Sequence, residues 1–234
     1  MANDIVPDLL DKIKKDFNKS FKENKKLKNI KEMIDNGTAT YVQANEYAVE
    51  VGALLAASFK KNIKSSELPD EKMYYNIAER ILKPTLINNH EIVSQASSEI
   101  QSKLNKSVGL GLMGIKPKVN EYRIESIVNR ITAEEVFDDV AWILGEPVVN
   151  FTQSVVDETI QANVEFQGDL GLSPKIIRTA EGGDPCDWCK SLDGVYKYPN
   201  VPADVYKRHD RCRCTVEYDV SDTRKQNVWT KEWR

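Results

Sequence analysis

Apolar residues recur every three or four positions through most of the chain, a rhythm that predicts helices. Over residues 4–35 the series Ile5, Leu9, Ile13, Phe17, Phe21, Leu27, Ile30 and Ile34 predicts one amphipathic helix. Asn36-Gly37 supplies its stop and Thr38 a cap for the next helix. That second helix is predicted over 38–64, with Val42, Tyr47, Val51, Leu54, Leu55 and Phe59 on its buried side. Small residues around Gly52 would let another helix approach closely. A third helical stretch is predicted over 70–106, with a break near Pro84 because proline lacks the helical N–H. Residues 108–118 carry Gly109, Gly111, Gly114 and Pro117 and are predicted to be the internal hinge, crossed by no helix. Helical periodicity resumes over 120–144, where residues 132–135 resemble a capping box that would divide it in two. A last long helix is predicted over 147–166, opened by Pro147.

Beyond Pro174 the rhythm changes to short extended runs, KIIRTA, GVYKY and CTVEYDV, with turns between them, among them Asp193-Gly194. The fold class is therefore α+β: a mostly helical N-terminal body, residues 1–172, followed by a small β-rich, zinc-bound C-terminal module, residues 173–220. A tail over 221–234 carries Trp229 and Trp233 four positions apart, the spacing of a short docking helix.

Charge alters this picture only locally. The net charge of −3 gives no global electrostatic case for nucleic-acid binding. Residues 12–31, however, hold nine lysines against Asp16 and Glu23, a local excess of +7. Such a helix face is either simply solvated or able to follow a DNA backbone without reading bases. No apolar run follows a basic start, and no stretch of about eighteen apolar residues occurs, so neither a secretion signal nor a membrane span is expected. Synthesis in the cytosol follows from that expectation.

The chemistry is concentrated in one place. The first 185 residues contain no cysteine, and all four, Cys186, Cys189, Cys212 and Cys214, then follow within residues 186–214. Cys186-x-x-Cys189 has the spacing of a chelating knuckle, and His209-x-x-Cys212-x-Cys214 offers a second one. If Cys212 and Cys214 open a strand they share a side, with Arg213 facing away. Five donors exceed the four that tetrahedral zinc takes, so either the four thiolates bind or His209 replaces one of them. A site filled by protein donors is structural rather than catalytic. Disulfide pairing of the same cysteines is the alternative, disfavoured in a reducing compartment. Arg178 is read as the partner of a local acid, Glu181 or Asp184, and His90 as a solvated residue within a helix. With two histidines, no HExxH and no Ser-His-Asp arrangement, the chain is not expected to be an enzyme.

The order Cys186, Cys189, Asp193-Gly194, Pro202, His209 and Cys212-Arg213-Cys214 resembles the C-terminal domain of phage minor head proteins of the Mu F-like head-morphogenesis family. That resemblance implies a virion protein of the phage head, made in the host cytoplasm and associated with the portal and/or major capsid protein. It would act in head morphogenesis and in handling or ejecting packaged DNA. Some members of that family carry effector or toxin domains after this module; with 20 residues following Cys214, none is expected here. The alternative reading is a zinc-stabilised, nonspecific nucleic-acid-binding module working through the lysines of residues 12–31.

Overall fold

The structure, a computed structural model, describes residues 4–180, 185–209 and 211–219. The expected tail with Trp229 and Trp233, and the proposed partners Glu181 and Asp184, lie outside the described residues. The α+β architecture is present. Helices α1 (Val6–Glu23), α2 (Lys25–Asn36), α3 (Tyr41–Asn62), α4 (Tyr75–Ser107), α5 (Glu121–Ile131), α6 (Phe137–Val140) and α7 (Glu146–Asp169) precede a small sheet. Its strands are β1 (Lys175–Thr179), β2 (Gly194–Lys197) and β3 (Thr215–Asp219), with the short helix α8 (Asp187–Ser191) between the first two. No helix among the described residues is long and apolar enough to cross a membrane.

Several helix boundaries differ from the sequence expectation, each for a local reason. The single helix expected over 4–35 is interrupted at Asn24, whose ψ of 114° is extended. The Asn24 side chain accepts the Leu27 N–H at 2.9 Å and donates to Glu50 at 2.7 Å, so it caps α2 as a new helix. Gly37 ends α2 at φ 74°, the left-handed conformation glycine tolerates. The cap of α3 is Thr40 rather than Thr38. Its hydroxyl accepts the Val42 N–H at 3.2 Å, while Gln43 Oε1 reaches back to the Thr40 N–H at 2.9 Å.

The break expected near Pro84 does not occur, and α4 runs through it as one helix of 33 residues. The Thr85 hydroxyl donates to the Ile81 and Leu82 carbonyls at 2.8 and 3.0 Å, occupying acceptors in the turn that proline disturbs. Thr132 ends α5 instead of capping a following helix, and Val136 stands at the N-cap of α6. His90 is buried at 3% exposure, against the expectation of a solvated residue, because α4 turns polar as well as apolar side chains inward.

Internal contacts divide the chain into two compact units. One comprises Met1–Asn29, Tyr47–Val93 and Lys118–Gln153. Its core gathers Ile13, Phe17, Val51, Phe59, Leu82 and Val128 from helices α1, α3, α4 and α5. Here the expected close approach at Gly52 is present: a Cβ at that position would lie 2.9 Å from the Val149 Cα of α7.

The other unit comprises Ile30–Glu46, Ser94–Pro117 and Ser154–Arg234. Its sheet has the order β2-β1-β3 and is antiparallel throughout. Ile176 faces Tyr196 and Tyr218, and Arg178 faces Gly194 and Val216. Ile176, Arg178, Val216 and Tyr218 make up its buried side, the period-two alternation of a half-covered sheet. A buried polar chain links its elements. The Tyr41 hydroxyl bonds Gln101 at 2.7 Å, Gln101 donates to Asn105 at 2.8 Å, Gln167 donates to Asn105 at 3.1 Å, and the Tyr218 hydroxyl donates to Gln167. The glycine-rich segment after α4 is fastened to this unit. Gly114 N–H donates to Ser102 at 2.8 Å, and Asn163 brackets Ile115 through bonds of 2.8 and 2.9 Å.

The Gly52 contact inverts an ordinary rule. Glycine to alanine inside a helix normally stabilises by roughly 1 kcal/mol. Gly52→Ala is expected instead to cost about 1–3 kcal/mol through overpacking against the α7 backbone, read as a lower midpoint in thermal or urea unfolding.

Candidate metal centre

The first half of the site is built on α8. Cys186 occupies its N-cap position, where the Sγ accepts the Cys189 N–H at 3.4 Å. One helical turn therefore aims both sulfurs to the same side, which is the physical content of the Cys-x-x-Cys spacing. Cys186 is exposed and Cys189 is buried.

The second half is a turn leading into β3. The Cys212 N–H donates to the His209 carbonyl at 3.1 Å, and Arg211 at φ 58° takes the sharp left-handed corner. Cys212 and Cys214 are buried with Arg213 exposed between them, the expected alternation, although β3 itself begins one residue later at Thr215.

These halves meet. Cys189 Sγ lies 2.9 Å from His209 Nε2 and 3.9 Å from Cys212 Sγ, while Cys186 Sγ lies 3.3 Å from His209 Nε2. Two groups of donors can hold a metal ion: Cys186 with Cys189 and His209, and Cys189 with Cys212 and Cys214. Cys189 belongs to both. All four cysteines are free thiols in this structure.

For a tetrahedral ion with sulfur at 2.3 Å, neighbouring sulfurs stand roughly 3.8 Å apart. The Cys189–Cys212 separation of 3.9 Å matches that edge. The two Cys–His separations are tighter. Burial, with Cys214, Cys212 and Cys186 nearby, pushes the Cys189 thiol far up from its ordinary value. A dication is what reverses that preference, since thiolate coordination releases the proton.

Sequence reasoning missed the residues that hold the second half in place. Arg208, next to His209, is buried at 1% side-chain exposure against Asp157 of α7 at 0%. The pair is bidentate: Nε donates to Asp157 Oδ2 and one terminal nitrogen to Oδ1 at 2.9 Å. The same guanidinium donates to Asn45 at 3.2 Å and to the Cys214 carbonyl at 2.7 Å. Burial alone would lower the Arg208 pKa, but the Asp157 carboxylate outweighs it and the net shift is upward. No sequence signal joins residues 51 positions apart, so this contact was not legible beforehand.

Arg178 is likewise fully buried; the local acids expected to pair with it, Glu181 and Asp184, lie outside the described residues. One terminal nitrogen donates to the Val205 and Lys207 carbonyls, the latter at 3.1 Å, and its guanidinium lies 5.4 Å from the Trp188 ring centre. Trp188 in turn meets the His209 ring edge-to-face at 5.8 Å. Arg178 therefore ties the segment before His209 to β1, and Trp188 backs the imidazole.

The lysines of α1 belong to the other compact unit. Lys12, Lys15, Lys19 and Lys22 are exposed at spacings of three and four along α1. Lys31 is engaged by Asp35 and Glu99, each at 2.9 Å. No protein-family model, curated protein or solved structure gives a significant match to this chain.

Removing one partner of a buried ion pair strands the other charge. Arg208→Met and Asp157→Leu are each expected to cost about 3–5 kcal/mol in urea unfolding. The double substitution should cost clearly less than the sum, since no charge is then stranded. Additive costs would show that the two side chains act independently.

Proposed function

We propose that this protein is a structural component of a phage or prophage head of the minor-head type, in which a bound zinc ion fastens one end of a largely helical chain. The observation that carries the reading is the convergence of Cys186, Cys189, His209, Cys212 and Cys214, the residues on which the likeness to the Mu F-like family rests, in one cluster. Zinc is the ion of choice for a site of thiolates and one imidazole near tetrahedral spacing. When bound it would cross-link the α8 turn to the start of β3. The two groups together offer five protein donors; an ion that drew four of them in would have no position open for a reacting water, and its role would be structural.

The buried Arg208–Asp157 pair supports the same view, because it couples the knuckle to α7 by contacts that have no part in chemistry. In this reading the partners are the portal and/or major capsid protein, and the protein is carried in the virion head. The stripe Lys12, Lys15, Lys19 and Lys22 supplies a surface for nonspecific contact with packaged DNA, at about one cation per helical turn.

Native mass spectrometry of the intact protein is expected to find one zinc per chain, lost in Cys189→Ser because that sulfur is common to both donor groups. The role is tested in purified particles, where the protein should be present and its deletion should yield defective heads. Its absence from particles that assemble normally would sink the head reading. Salt-sensitive DNA retention abolished by glutamate at the four lysines would then put the nucleic-acid module in its place.

A further inference from the structure

The unit that contains α3 and α6 carries a groove unrelated to the metal centre. It holds about 490 Å³ and is lined on one wall by Ala56, Phe59 and Lys60 of α3 with Ile63 just beyond its end, and on the other by Phe137 and Asp138 of α6 with the turn that follows. The space exists because α3 presents alanines there, Ala56 and Ala57, and because α6 is a single turn too short to fill it. At the mouth stands Trp142, 51% exposed, with Val136 nearby in sequence at 41%. Trp142 also lines a second hollow of about 430 Å³ beside Arg130, Glu134 and Asp139. It is a ridge between two depressions. The Arg130 guanidinium lies 5.1 Å from the indole centre and holds the ring without covering it.

The charges around this ridge have a definite arrangement. Lys60 and Lys64 lie on the α3 wall, Asp138 on the α6 wall, and Glu134 and Asp139 in the second hollow. Lys64 Nζ caps α3 by donating to the Lys60 carbonyl at 2.8 Å. Among the described residues neither the Lys60 ammonium nor the Asp138 carboxylate has an ion-pair partner. A patch with Lys60 and Lys64 on one flank, the three carboxylates of Glu134, Asp138 and Asp139 against the single Arg130 on the other, and an aromatic ridge between is complementary to itself. Turned by a twofold rotation, its basic flank meets the acidic flank of an identical surface, and each ridge meets a depression.

We propose that this face is a self-association surface, occupied by the Trp142 corner of a second copy of the chain. Tryptophan anchors of this kind carry a large share of interface energy when a partner desolvates them. A partner of uniform charge would satisfy one flank and be repelled by the other, which is the reason for choosing a second copy. The proposal does not depend on the metal centre or on the head reading.

The test is sedimentation of the full chain over a range of concentrations, with circular dichroism confirming that each variant is folded. Wild type should show a monomer–dimer equilibrium, and Trp142→Arg should weaken it by at least about 30-fold. Lys60→Glu and Asp138→Lys should each weaken it by roughly tenfold, since a twofold axis counts every contact twice. Mixing those two variants is the decisive arm: in the mixed dimer both crossed contacts become opposite-charge pairs again, so association should return to within about threefold of wild type. A wild type that stays monomeric at about 0.1 mM would overturn the proposal. So would a dimer indifferent to Trp142→Arg, or a mixture that associates no better than its components. A monomer that binds decanoate in the groove would overturn it too, and would assign the groove to small amphipathic anions.

Discussion

A guanidinium buried against a carboxylate is the constraint on which the knuckle depends. Arg208 and Asp157 are both almost wholly removed from water. Desolvation of that size costs several kcal/mol per ion and is offset only when geometry and further hydrogen bonds are nearly complete. Asp157, Asn45 and the Cys214 carbonyl supply that completeness. Arg208 is thereby held on α7 and on the Cys214 carbonyl, and His209, Cys212 and Cys214 stand where the α8 turn presents Cys186 and Cys189. The donor cluster and the helix packing of this unit therefore share one anchor.

The same logic extends through the interior of that unit, where Gln101, Asn105, Asn163 and Gln167 are fully buried. Asn105, Gln101, Gln167, Tyr41 and Tyr218 form a connected hydrogen-bonded chain, and Asn163 brackets the backbone of Ile115. Such a network favours one arrangement of helices over near alternatives, because a shift in register would leave buried groups unsatisfied. Burial pushes the Tyr41 hydroxyl well above its ordinary pKa, consistent with a neutral group that works as a donor to Gln101. The arrangement around Cys189 makes an instructive contrast. Its buried thiol is costly to ionise, and the chemistry of the surrounding sulfurs points to a cation as the compensating partner.

Much of the architecture was legible from residues alone. Periodicity located the helices, the change of rhythm after Pro174 located the sheet, and the clustering of cysteines located the candidate metal donors. Local chemistry was harder where two signals competed. Asn24 looked like a helix interior residue until its side chain was seen capping α2, and Thr40 with Gln43 outcompeted Thr38 as the cap of α3. Pro84 marks the opposite case: a breaker by sequence, it is accommodated within α4, where the Thr85 hydroxyl bonds two carbonyls of the preceding turn.

Short-range preference thus determined the element types, the α+β class and the identity of five candidate ligands, because capping, periodicity and chelate spacing act over a few residues. Tertiary structure decided what those preferences leave open: that His90 and Arg178 are buried, that Cys189 is common to both donor groups, and that Arg208 reaches Asp157. The physical reason is range. A helix face or a Cys-x-x-Cys turn is encoded by neighbours, whereas burial and charge pairing depend on which distant segment comes to lie against a given side chain.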